Sequence, residues 1–170
     1  MRINIEVTGS TENIIRVQSV NAKKNYSRIS NGKGIKKTAN WLKSKAAKEI
    51  SEEKKIALKL IRKRLKIVKA SRNTLTALVR ANLYDVRASS VGRMKQARKG
   101  AEVGKYQFTG AFIAKMPRNY KGIFKPKGKR ALPIQEIRLP IESEGLRIMK
   151  ELADYEAEKI SEKFFHRELS

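Results

Sequence analysis

The chain lacks the residues on which most enzyme sites are built. It has no cysteine and a single histidine, His166, close to its end. Disulfides and thiolate metal sites are therefore excluded, and one terminal histidine cannot supply a zinc site or a nucleophilic triad. No G-x-x-x-x-G-K-[ST] phosphate loop is present either. These absences predict that the protein is not an enzyme and that it binds no metal or cofactor.

Acidic residues are also scarce, and their distribution is uneven. Residues 1–141 carry 35 Lys or Arg against 8 Asp or Glu, a net charge of +27, whereas the last 29 residues have a net charge of −3. Such an excess of positive charge repels itself unless a polyanion or an acidic protein lies close by. The balance favours a protein that works on nucleic acid or inside a large assembly over a free-standing cytosolic enzyme.

Long apolar runs are missing as well. No run approaches the roughly 18 residues of a membrane span. The first seven residues alternate apolar and polar side chains and include the charge of Glu6, which is typical of a strand and not of a signal peptide. The sequence therefore predicts no membrane partner, and a protein made in a cytoplasm-like compartment or packed into a particle.

The first half of the chain predicts mainly helices. After a strand at Arg2–Val7, a helix is expected from Glu12, followed by helices over 36–50 and 52–70. The last two could form one long helix, since only Ser51 separates them.

The 52–70 segment is the most basic of these. Read as a helix, it has a wide apolar arc that includes Ile56, Leu60 and Ile67, and a cationic arc over the rest of its circumference. An apolar arc of this width predicts packing against more than one neighbour.

The second half predicts strands and a final helix. Alternation over 75–83 is the clearest strand signal. A long basic loop is expected at 87–105, and three further strands at 106–116, 120–125 and 134–141, the last two joined by a turn at 125–130. An amphipathic helix over 143–168 ends the chain.

These elements predict an α+β fold with long N-terminal helices, an antiparallel sheet of about four strands and a C-terminal helix. We expect residues 1–34 to form an N-terminal arm and residues 35–170 a single domain. Four aromatic residues, Trp41, Phe108, Phe112 and Phe124, are expected to pack in the core or at a subunit contact.

The basic residues have two possible roles. They either contact phosphate or an acidic neighbour, or they form a solvated surface that keeps the protein soluble. Solvated faces usually mix signs, whereas no acid occurs between Lys54 and Arg80, which favours contact. For the 87–105 loop neither reading is favoured. The expected contact residues are Lys55, Lys59, Arg62, Lys63, Lys66, Lys69, Arg93, Lys95, Arg98 and Lys99.

Short motifs after the loop resemble a known family. Residues 108–115 read Phe-Thr-Gly-Ala-Phe-Ile-Ala-Lys, residues 122–125 Gly-Ile-Phe-Lys, residues 132–134 Leu-Pro-Ile and residues 138–141 Arg-Leu-Pro-Ile. Their order, behind a basic segment and an alternating strand, resembles minor tail protein Z and related tail-completion proteins of long-tailed phages and prophages. The resemblance covers about residues 35–165.

That resemblance implies a structural virion protein at the head–tail junction. Such a protein completes the tail, helps join it to the head, and usually forms a ring of several copies around the DNA path. Its partners would be copies of itself, other tail and neck proteins, and the DNA in the lumen. It would be found in the virion tail or neck, and in the host cytoplasm during assembly.

Two rival functions remain open. One is a stand-alone basic nucleic-acid-binding protein, which would bind DNA or RNA as a monomer with steep salt dependence. The other is a nuclease built on Asp85, Glu102 and Glu136, three of the few acids in the second half of the chain.

Overall fold

The computed structural model describes residues 2–8, 12–18, 28–71 and 76–169, and within them the fold is α+β. The helices are α1 (Arg28–Lys54), α2 (Leu58–Arg64), α3 (Glu142–Glu151) and α4 (Ala157–Leu169). The strands are β1 (Arg2–Thr8), β2 (Glu12–Gln18), β3 (Leu65–Ser71), β4 (Thr76–Ala81), β5 (Val86–Arg87), β6 (Met94–Ala97), β7 (Gly100–Val103), β8 (Tyr106–Thr109), β9 (Phe112–Met116), β10 (Tyr120–Pro126), β11 (Ile134–Glu136) and β12 (Arg138–Leu139).

The strands form four antiparallel sheets in place of the single sheet of about four strands that the sequence predicted. The largest has the order β1-β2-β4-β3, and two three-stranded sheets have the orders β6-β7-β8 and β11-β10-β9. The fourth is the short pair β12-β5. The prediction was wrong in number because several of these strands are only two to four residues long, too short to show alternation in the sequence.

The large sheet confirms two predicted strands and corrects one predicted helix. The strand at Arg2–Val7 is β1, and the 75–83 alternation is observed as β4, in which Ala77 and Val79 are fully buried. The helix expected from Glu12 is wrong, because this segment is β2. Its backbone pairs with β1 on one side and β4 on the other. Pairing on both sides outweighs a weak helical pattern, and β-branched residues suit strands.

Helix α1 is the scaffold on which the large sheet packs. It begins at Arg28, eight residues before the predicted start, and continues through Ser51. One stripe of it is fully buried, with residues that repeat every three or four positions: Ile35, Ala39, Leu42, Ala46 and Ile50.

The long basic helix predicted over 52–70 is wrong, because α1 ends at Lys54. Lys55 adopts a left-handed conformation with φ 49°, and the Ile56 amide donates to the Ser51 carbonyl at 3.2 Å. This is the Schellman arrangement that closes helices, with the apolar Ile56 buried behind it. Glycine usually occupies this left-handed position. Because a lysine occupies it here, the sequence contains no glycine signal that the helix ends. The rest of the segment divides between α2 and β3.

The predicted loop at 87–105 is also wrong, because it contains the β6–β7 hairpin. The side-chain amide of Gln96 donates to the Gly100 carbonyl and accepts from the Ile113 amide, each at 2.9 Å. The hairpin is thereby tied to the start of β9. The buried residues of β7 are the small side chains Ala101 and Val103. The sequence therefore shows no strong apolar pattern over these strands.

The later predicted elements are confirmed in outline. The strand expected at 106–116 is interrupted at Gly110, which has φ 72°, and becomes β8 and β9. The 120–125 strand is β10, and it pairs with β11 as the predicted hairpin. The 134–141 strand divides into β11 and β12. The terminal helix is observed as α3 and α4, joined by one π-helical turn at Leu152–Glu156.

Helix α3 packs closely on the core beside α1. A Cβ added at Gly145 would lie 2.8 Å from a methyl carbon of Leu83, so the helix packs tightly against this buried side chain. Two ion pairs run between the helices: Lys54 Nζ lies 2.6 Å from Glu144, and Arg147 lies 2.6 Å from Glu53. Hydrogen bonds to Glu53 and Glu151 raise the pKa of Arg147.

The Lys54–Glu144 pair predicts a specific acid sensitivity. Hydrogen bonds from Lys54 and then Ser143 lower the pKa of Glu144 from 4.5 to about 2. Its ionised form therefore stabilises the fold above about pH 4.5, and this contribution is lost as the pH falls towards 2. Because 31% of the side chain is exposed, we expect about 1 kcal/mol at neutral pH. The stability difference between wild type and Glu144→Gln should shrink across this window in urea titrations.

Glu142→Gln is the matched control for this prediction. Glu142 lies in the same first turn of α3 and is exposed. A difference for Glu144→Gln that stays constant from pH 5 to about pH 2, or that equals the difference for Glu142→Gln, would contradict the assigned cause.

Candidate polyanion interface

Helix α2 and the start of β3 present the first group of basic residues. Lys59, Arg62 and Lys63 are exposed on α2, while Ile61 on its other side is 1% exposed. Lys66 is exposed on β3. The short helix keeps its cations outward because its one buried position anchors the opposite side. Lys55 is exposed at the end of α1, and Lys69 lies in β3, outside the residues whose side chains are described.

Arg64 is a basic residue of the same segment with a structural role. Its guanidinium donates to the main-chain carbonyl of Tyr84 and, at 3.4 Å, to that of Asp85. Burial lowers the pKa of Arg64, and the Asp85 charge opposes that change. This side chain ties the end of α2 to the chain that follows β4 and is not available to a partner.

The β6–β7 hairpin presents the second group. Arg93, Lys95, Arg98 and Lys99 are all exposed, and the last two form the turn of the hairpin. Lys95 lies opposite Glu102 in register, so part of its charge is balanced within the sheet. The two groups lie on different sheets, between which no strand pairing occurs in the described residues.

Sequence reasoning missed further cations beside this hairpin. The Gly110 amide donates to the Lys99 carbonyl at 3.0 Å, and a Cβ at Gly110 would lie 3.8 Å from Lys125 Cε. The main chain of Lys99 and the side chain of Lys125 therefore both lie next to the Gly110 turn. The exposed segment after Lys125 adds Lys127, Lys129 and Arg130. The signal was present in the sequence, because residues 103–135 contain eight Lys or Arg and no acid.

The packing residues named from the sequence lie in or beside the core. Ile56 is 2% and Phe124 is 6% exposed, and Trp41, Leu60, Ile67 and Phe108 are partly buried against the main core cluster. Phe112 is half-buried, with its ring 6.4 Å from that of Phe124. Whether any of these residues also contacts another subunit stays a prediction.

Two of the three acids of the nuclease hypothesis line one groove. Asp85 and Glu136 face an open groove of about 570 Å³, and Glu102 does not line it. The carboxylate of Glu136 is held by Arg87 at 3.5 Å, Arg138 at 3.7 Å and the Tyr120 hydroxyl. Within the described ranges, no three acidic or histidine side chains are grouped as metal ligands would be. The three acids thus form no metal centre in that part of the chain.

The surface formed by these two groups is rich in exposed positive charge. Large exposed apolar side chains in the described parts are few and scattered: Val68, Tyr84, Leu132 and Tyr155. Stacking of exposed bases needs aromatic platforms, and Tyr84 is an exposed aromatic residue beside the end of α2, where its carbonyl accepts from Arg64. The exposed cations can attract polyanions electrostatically. Among the described helices, none combines the length and apolar content that a membrane crossing requires.

Comparison with known proteins identifies the family. The model of the family described as prophage minor tail protein Z (GPZ) matches residues 9–169. The chain is also similar to a tail completion protein of Escherichia phage N15, with 25% identity over 118 residues that cover 63% of this chain and 64% of the relative. No solved structure matches the chain. Because the family match spans nearly the whole chain, this protein belongs to the prophage minor tail protein Z family.

Proposed function

We propose that this chain is a structural, non-enzymatic tail-completion protein located at the head–tail junction of a phage particle. The observation that carries the proposal is the family match over residues 9–169. The phage N15 relative, named a tail completion protein, supports it over the 64% of that relative's length that is aligned.

Several copies form a ring around the DNA path in this proposal. The other partners are tail and neck proteins, and the protein assembles in the host cytoplasm before it becomes part of the virion. The exposed cations of α2, β3 and the β6–β7 hairpin support such a role, because a ring around DNA needs cationic surfaces. The arm predicted over residues 1–34 shares a sheet with the predicted main domain, because β2 pairs with β4, and α1 crosses the boundary between them.

Charge reversal on α2 and β3 tests the proposal. The variant Lys59→Glu, Arg62→Glu, Lys66→Glu should fold normally, because all three residues are exposed, and should fail to yield infectious particles. The measurement is a plaque titre after complementation of a phage or prophage that lacks the gene, with electron microscopy of the tails. We expect a loss of at least about 100-fold, since like charges across a contact are strongly repulsive.

Lys150→Glu, Lys159→Glu, Lys163→Glu is the matched control, because it makes the same change in net charge on exposed positions of α3 and α4. It should complement nearly as well as wild type. Normal infectivity of the α2–β3 variant would contradict the role given to that surface, and normal tails in the absence of the gene would contradict tail completion itself.

The stand-alone nucleic-acid-binding protein is the second candidate, and the net charge of +24 favours it. It would bind DNA or RNA tightly as a monomer, and its gene would be dispensable for tail formation. The complementation experiment therefore separates the two.

A further inference from the structure

The β9–β10 hairpin carries an unbalanced pair of lysines. Lys115 and Lys121 lie directly opposite each other in the strand register, and both are exposed. Like charges at such a position destabilise a sheet. Neither residue forms an ion pair within the described part of the chain, and the nearest acids in sequence are Glu102 and Glu136.

The tip of the same hairpin holds an arginine in an unfavourable conformation. Arg118 has φ 63° and Asn119 has φ 59°. Both residues lie in the three-residue connection between Met116 and Tyr120, which pair with each other. Asparagine tolerates this conformation, whereas arginine is strained in it. The hairpin therefore places a third exposed cation next to the lysine pair at a cost in stability.

We propose that Lys115, Arg118 and Lys121 form a binding site for the phosphate backbone of double-stranded DNA. Cross-strand Cβ atoms lie about 5 Å apart, so the two flexible lysines can reach one phosphate or two neighbouring ones. The three cations are thus in a position to displace counterions from the duplex and gain affinity without reading bases. The identity of the polyanion as duplex DNA rests on the proposed tail function.

An acidic protein is the less fitting partner for this hairpin. The cores of protein–protein interfaces are depleted in lysine and rich in aromatic and apolar anchors. None of the large exposed apolar residues of the described chain lies between Phe112 and Pro126, where the surface is cationic. A site of charge alone, on paired strands whose register fixes the spacing of the lysines, suits phosphates.

This assignment predicts opposite effects on binding and stability. Arg118→Asn relieves the left-handed strain, and Lys115→Thr removes the like-charge pair. Each should raise the melting temperature by about 2–4 °C and weaken DNA binding about threefold or more. A residue with only a structural role would lose stability on substitution.

The decisive experiment uses the free full-length protein and a labelled duplex of random sequence. Fluorescence anisotropy over a range of salt concentrations gives the slope of log affinity against log salt. For Lys115→Gln, Arg118→Asn, Lys121→Gln the slope should fall by about 2–3, at roughly 0.9 for each phosphate that the variant no longer neutralises. The control Lys150→Gln, Lys159→Gln, Lys163→Gln removes the same charge from α3 and α4 and should change the slope by less than about 1.

Three results would overturn the inference. One is an equal change in slope for the two triple variants, which would mean that net charge alone governs binding. Another is a lower melting temperature of Arg118→Asn with unchanged affinity. The third is a hairpin variant that loses binding to labelled poly-aspartate but keeps its affinity for DNA, since the hairpin would then meet an acidic protein. Because none of these measurements involves particles, failure here is distinguishable from failure of complementation.

Discussion

Replacing Gly100 with alanine should lower the free energy of unfolding by about 2–4 kcal/mol. Gly100 has φ 155° and begins β7 directly after the Arg98–Lys99 turn. A Cβ there would lie 2.9 Å from the Phe108 carbonyl carbon and closer still to its oxygen, and 3.1 Å from the Gly110 amide nitrogen. These are backbone atoms that cannot move without opening the β7–β8 pairing.

Urea titration followed by circular dichroism measures this loss. Gly128→Ala is the matched control, because an added Cβ there meets nothing within 4 Å. That control should change stability by less than about 0.5 kcal/mol. A loss for Gly100→Ala no larger than that of Gly128→Ala would show that the turn can shift freely. The β6–β7 hairpin would then not hold its basic turn in place.

Replacing Phe124 with alanine should cost about 3–4 kcal/mol. Phe124 is 6% exposed and lies opposite Phe112 in the β9–β10 register. Gly122 leaves room for its ring, because a Cβ at Gly122 would lie 3.0 Å from two ring carbons. Truncation would leave a cavity at the base of the hairpin that rigid neighbours cannot fill.

Phe112→Ala is the comparison for Phe124→Ala. Phe112 is only half-buried, so its truncation should cost about 1–2 kcal/mol in the same urea titration. Equal losses for the two variants would contradict the assignment of Phe124 as the buried member of the pair. DNA binding provides a second measurement, because Lys115 and Lys121 lie on the same hairpin as Phe124. Phe124→Ala should weaken DNA binding only in proportion to the fraction of the hairpin that it unfolds.

Prediction from the sequence succeeded where a single residue pattern extended over a whole helix or strand. The β4 alternation and the amphipathic repeat of α3 and α4 each continue long enough for burial of one face to decide the conformation. It failed at Lys55, where a non-glycine residue takes the left-handed position that ends α1. A continuous apolar and basic pattern across this point concealed the change from helix to strand at Leu65.

The candidate site was also predicted from the sequence only in part. The exposure of three cations on α2 depends only on amphipathicity within one or two helical turns. It was therefore predicted correctly although the predicted helix was too long. The three residues are Lys59, Arg62 and Lys63. The opposition of Lys115 and Lys121 could not be predicted, because it depends on the register of a hairpin whose turn residues, Arg118 and Asn119, are atypical.

The sequence alone determined the excess of positive charge, the scarcity of groups for catalysis and the amphipathic segments, because these depend on composition and on spacing along the chain. The tertiary structure alone decided that residues 12–18 form a strand beside β4, that the Tyr106 hydroxyl donates to the Lys54 carbonyl at the end of α1, and that the Lys125 side chain lies against the Gly110 turn. These outcomes depend on contacts between residues far apart in the chain, whose free energies exceed the small local preferences that a sequence pattern expresses.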